Sequence, residues 1–165
     1  MWNFVILSVL VALSGFYATI DKEGLAAMEQ ARADNYASSM ASYRQATITY
    51  FTQHPTVYQS VDIAVLRATG AVPMWSALYT QQAADVWNNY RGADGVIYIY
   101  AKTRPPVNIV AEVLKVSHNS ELVGVFRTGD VFLYSPATGK YTASKLPPPG
   151  IVPIPDGSPV WIGSI

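Results

Sequence analysis

The sequence has 165 residues, and its 11 Lys plus Arg balance 11 Asp plus Glu to a formal net charge of zero. That balance excludes a strongly electrostatic partner such as duplex DNA or an anionic membrane surface, so no nucleic acid is expected as a partner. Cysteine is absent, which removes thiol catalysis and thiolate metal sites while leaving an oxidising compartment open. Eleven Tyr and four Trp in a chain only 13 % charged give a polar-aromatic surface of the kind that docks other proteins, although Tyr also fills half-buried strand positions.

Trp2 to Ile20 (WNFVILSVLVALSGFYATI) carries no charged side chain, and ionic residues start abruptly at Asp21-Lys22-Glu23. About 20 apolar residues in a helix span the hydrocarbon of a bilayer, so residues 1–20 read as a single-pass transmembrane signal anchor. Three rivals stay open: a buried soluble helix, a cleaved signal peptide and a prepilin leader. Ala12-Leu13-Ser14 before Gly15 loosely fits a signal-peptide cleavage site, but a basic n-region is missing. Gly15-Phe16 with Glu23 suggests a prepilin leader, but there the apolar run would follow the cleavage site, and here it precedes it.

From Gly24 to about Gln53 the chain is Ala-rich and free of Pro. Leu25, Met28, Tyr36, Met40, Tyr43 and Tyr50 recur at steps that make one stripe on a helix, with Arg32 and Thr47 in register. Residues 21–54 are therefore expected to form a helical stalk that continues into the domain, about 45 Å long for thirty residues. Leu25, Met28, Tyr36, Met40 and Tyr43 are the candidate partner-interaction residues, and they allow a homo-oligomer through the stalk. The same stripe also fits the helix's own core face. His54-Pro55 should end the helix, because Pro disfavours α geometry in the residue before it.

Residues 55–165 read as one α+β domain. Ser60 can cap a short helix through about Arg67, with Gly70 past its end. Met74 to Tyr90 reads as irregular or as a short strand. Val96 to Tyr100 is a β-branched and aromatic run, a strand buried on both faces or nearly so. Pro105-Pro106 should open a helix over Val107 to Ser117. Leu122 to Arg127 and Val131 to Tyr134, joined at Thr128-Gly129-Asp130, have a hairpin signature. Six prolines after Lys145 suggest an extended strand covering a sheet edge, with Val160-Trp161-Ile162 as the last strand. The sheet should be mainly antiparallel.

No catalytic pattern emerges. His54 and His118 are far apart and sit at helix ends, where capping or surface roles account for them. Thr138-Gly139-Lys140 lacks the first Gly of a phosphate loop, and there is neither a G-x-S-x-G elbow nor an H-E-x-x-H helix. The carboxylates are scattered, and Asp156-Gly157 reads as a tight turn. No cofactor, no metal site and no catalytic residue are expected.

Several features in one order resemble a known family. An anchor and Ala-rich helix lead to Tyr43-Arg44-Gln45-Ala46, Tyr50 and His54-Pro55, then Leu66, Val72-Pro73 and Trp87-Asn88-Asn89-Tyr90 before the Val-Ile-Tyr-Ile-Tyr strand. Pro105-Pro106, Leu122-Val123-Gly124, Ser135-Pro136, Leu146-Pro147 and Ile154-Pro155-Asp156-Gly157-Ser158-Pro159-Val160 follow. This order resembles the PilM proteins of type IVb (thin) pilus clusters, as distinct from the longer, nucleotide-binding actin-like proteins that share the name. The resemblance implies an inner-membrane protein with a periplasmic, pilin-like domain, without catalytic residues, serving pilin transport or the pilus basal body in pili linked to conjugation or adhesion. Its partners would be other pilus assembly proteins or pilins. The alternatives are a minor pilin built into the fibre, and a periplasmic hydrolase without a recognisable motif.

Overall fold

The computed structural model describes residues 22–79, 86–147 (the Ser144 side chain excepted) and 152–164, and the backbone of 2–21 as part of the first helix. That helix, α1, runs Trp2–Gln53 and stops where the sequence places its break, before His54-Pro55. Residues 22–32 are exposed on every side. From Ala33 onwards, Ala37, Met40, Tyr43, Thr47 and Phe51 recur every three or four residues and are buried. The head therefore begins at Ala33. Fully burying Met40 and Phe51 contributes about 1.5–3 kcal/mol each. Of the anchor expected at residues 1–20 the side chains lie outside the described residues, and among the described residues no helix is long and apolar enough to cross a membrane.

Two short helices flank α1. Helix α2 (Ile63–Ala68) is capped by Asp62, whose Oδ1 accepts the Ala64 N–H at 2.8 Å, and not by Ser60. The cause is tertiary: the buried Asn89 amide holds both the N–H and the carbonyl of Val61, so the chain can turn into helix only after it. Gly70 follows in the left-handed conformation (φ 73°), as expected. A 3-10 turn covers Ala77–Tyr79, so the start of the ambiguous Met74–Tyr90 stretch is irregular and its end is strand; residues 80–85 lie outside the described residues. Helix α3 (Val110–Val116) starts three residues later than expected, because Asn108 Oδ1 takes the Val110 N–H at 3.1 Å and keeps Val107 and Asn108 in a turn. Gln30 of α1 donates to Glu112 of α3 at 2.7 Å, tying the two helices together.

The six strands are β1 (Trp87–Arg91), β2 (Val96–Ala101), β3 (Val123–Val125), β4 (Phe132–Ser135), β5 (Lys140–Lys145) and β6 (Pro159–Ser164). They form one antiparallel sheet in the order β1-β2-β6-β3-β4-β5. The α+β class and the antiparallel sheet match the expectation, and so does the β3–β4 hairpin. Two features differ. The last strand, β6, sits in the middle of the sheet between β2 and β3. Val160, Trp161 and Ile162 are apolar on both faces, which suits a central strand, while the prolines fall before it or at its first residue, Pro159. The edges belong to β1 and to β5, the latter a polar strand with Lys at both ends, a composition that leaves no hydrophobic run to read.

Each face of the sheet has its own core. Ile97, Ile99, Val123 and Trp161 point to α1, and Tyr98, Tyr100, Leu133, Val160 and Ile162 point away from it. The second set is covered by Leu146 and Ile154 of the proline-rich link that carries the chain from the β5 edge back to the centre. The Tyr98 hydroxyl donates to the Lys145 carbonyl, four strands away in the order. A flat sheet would separate those strands by about 19 Å, beyond the reach of any side chain. The sheet thus curls around its second core.

Candidate interaction surfaces

The five stripe residues divide by height along α1. Leu25 and Met28 are 62 % and 56 % exposed, the only large apolar side chains within residues 22–32, a stretch tied to α3 through Gln30. Tyr36 is half-buried and meets Trp87 edge-on at 6.4 Å. Met40 and Tyr43 are fully buried in the chain's own core, so the expectation that they offer a partner seam is corrected. At this height the helix already has a partner, the sheet. Leu25 and Met28 remain where an outside protein could reach them.

Buried polar groups then lock the helix to the sheet. Asn89 donates to the Tyr43 hydroxyl at 2.7 Å and to the Val61 carbonyl at 2.8 Å, and burial pushes the Tyr43 phenol well above its ordinary pKa. Arg44 donates through Nε and Nη2 to the Ile162 carbonyl at 3.3 and 3.2 Å while lying 5.0 Å from the Trp161 ring centroid. Desolvation lowers its pKa, yet a guanidinium stays charged at any physiological pH. Arg91, buried at the end of β1, donates from Nη1 to the Pro55 and Val57 carbonyls, both at 3.0 Å, between the rings of Phe51 and Tyr58. It fixes the turn that follows α1. His54 plays the capping part expected of it: Nδ1 meets the Tyr50 carbonyl at 2.9 Å and the ring stacks on Tyr50. These groups are structural.

A second exposed feature escaped the sequence reading. Met74 and Trp75 stand 80 % and 88 % exposed beyond Pro73. Their only signal was two large apolar residues directly after a proline, where a loop is the natural reading. Among the described residues no group of three or more His, Asp or Glu could hold a metal ion.

A family model described as PilM matches residues 9–162. The chain belongs to the PilM family. Membership bears out the resemblance read from the motif order, and it supports a part in pilus biogenesis. A solved structure of a PilM protein from Escherichia coli B7A shares the fold, with a TM-score of 0.53 and 19 % identity over 81 % of this chain and 93 % of that one. No curated protein matches. Within the PilM motifs, Tyr43, Asn89, Gly124 and Pro159 all stand at helix–sheet or strand–strand contacts, so this much of the shared pattern encodes the fold.

Proposed function

We propose that this chain is a non-enzymatic component of pilus biogenesis, anchored in the inner membrane by residues 1–20, with its head in the periplasm docking other pilus proteins. The observation that carries this reading is the lower stalk: eleven consecutive exposed residues, 22–32, joined to the head through Gln30, present Leu25 and Met28 to the surroundings. Exposed apolar side chains on a projecting helix are the kind of anchors that a partner helix covers. Membership of the PilM family supports the pilus context.

The test is photo-crosslinking from Leu25 and Met28 positions in cells assembling pili, together with N-terminal sequencing of the membrane-fraction protein. Crosslinks to a pilus component from a chain that retains residues 1–20 are expected. A chain beginning at Gly15 or Phe16 would remove the anchor. The long helix laid on an antiparallel sheet is also compatible with a minor pilin, and recovery of the chain in sheared fibres in place of the envelope would favour that second reading.

A further inference from the structure

A cleft of about 660 Å³ opens between residues 104–109 and the neighbouring ends of β3, β4 and β6. Two arginines line it. The Arg127 guanidinium carbon lies over the Tyr134 ring, 4.2 Å from its centroid, and Arg104 lines the cleft from the 104–109 segment. Among the described residues neither forms an ion pair or donates a hydrogen bond. The neighbouring carboxylate, Asp156, is turned to Thr128, whose backbone N–H donates to Oδ1 at 2.7 Å. That bond, with the field of the two arginines, holds the Asp156 pKa below its usual value. One carboxylate against two guanidiniums leaves the cleft net positive.

The walls are unusual in a second way. Pro105, Pro106, Pro136 and Pro159 all line the cleft. Proline has a fixed φ and no N–H, so these walls are stiff, largely apolar and leave no backbone donor at those positions. Stiff walls around charged forks reduce the ordering cost of binding. A guanidinium stacked on a ring still has its edge N–H groups, which match a carboxylate in two parallel bonds.

We propose that this cleft binds a short extended segment of a partner protein bearing an Asp or Glu, with Arg104 and Arg127 gripping the carboxylate and the proline and Tyr134 walls holding the chain beside it. Concavity favours a protein segment over a bilayer, since a flat lipid surface cannot enter a recess of this size. Neither Leu25 nor Met28 lines the cleft, so substituting them and substituting the two arginines test different contacts.

The experiment uses the full chain in zwitterionic nanodiscs, with Ala137→Cys labelled by an environment-sensitive fluorophore; no other cysteine competes. The probes are a capped hexapeptide containing two Asp residues, its Asn isostere, and vesicles with and without anionic lipid. Saturable binding of the acidic peptide is expected, about tenfold weaker for the isostere, and weakened at least several-fold by Arg104→Gln or Arg127→Gln. Unchanged thermal unfolding of both variants would show that the fold is intact. Equal binding of the two peptides, binding of neither, or a response to anionic vesicles alone would each overturn the proposal.

Discussion

The Asn89 side-chain amide donates to the Tyr43 hydroxyl at 2.7 Å, joining the first strand to the long helix inside an apolar core. The same amide holds the Val61 carbonyl at 2.8 Å and accepts the Val61 N–H at 3.0 Å. One buried side chain thus fixes three elements: α1, β1 and the entry to α2. Asn89→Ala leaves the phenol and both Val61 backbone groups without partners, which should cost about 2–4 kcal/mol. Tyr43→Phe removes one bond and should cost about 1 kcal/mol. Because the two residues share that bond, the double variant should lose less than the sum of the singles in urea unfolding. Strict additivity would show that the contact is energetically idle.

Gly124 carries the hairpin through its missing side chain. A Cβ there would lie 2.5 Å from the Tyr134 carbonyl oxygen and would also strike Leu133. The oxygen is backbone and cannot rotate away, so Gly124→Ala must push β3 from β4, whose pairing is already short. A loss of about 1–3 kcal/mol is expected. Adding Leu133→Ala makes room on one side only, so it should not restore the thermal midpoint; full rescue would mean that the backbone contact is unimportant.

The stalk and the head separate by mutation. Met40 is fully buried, and Met40→Ala should cost about 2–5 kcal/mol of stability. Leu25→Ser and Met28→Ser lie on an exposed surface and should change stability by no more than about 0.5 kcal/mol while reducing crosslinks to pilus components. Crosslinking that survives both serine substitutions would detach the stalk from partner capture.

Much of this architecture was legible because period and punctuation agree. His54-Pro55, the Val96–Tyr100 run and Thr128-Gly129-Asp130 each carry a local cause, and each marks the element it should. What could not be read is decided by distant contacts. The stripe from Leu25 to Tyr43 has one period throughout, but the rest of the head buries it only from Ala33 onwards, so one pattern serves solvent at one end and core at the other. Asp62 displaces Ser60 as cap because Asn89, about thirty residues later, holds Val61. The central place of β6 follows from pairing with β2 and β3, and a proline-rich approach gives no hint of it. For the proposed cleft, Arg104 and Arg127 have no common motif; only the fold brings them together.

The curled second core makes a prediction about alkaline pH. Burial raises the phenols of Tyr98 and Tyr100 from 10.0 to about 12, and the Tyr98 hydroxyl must keep its proton to donate to the Lys145 carbonyl. A folded pKa above the unfolded one means that stabilisation is complete below pH 10 and is lost as pH rises towards 12. Deprotonation in the unfolded chain is favoured first, and it draws the equilibrium towards unfolding. The informative quantity is the difference between the native chain and Tyr98→Phe, which isolates this one phenol. That difference should shrink steadily in urea midpoints measured across pH 10 to about 12, and stay constant below it. A phenolate absorbance titration should show the matching late component, reduced in the Phe variant to the share that Tyr100 contributes. A difference that does not change with pH would mean that the Tyr98 hydroxyl is open to solvent and does not hold the link to β5.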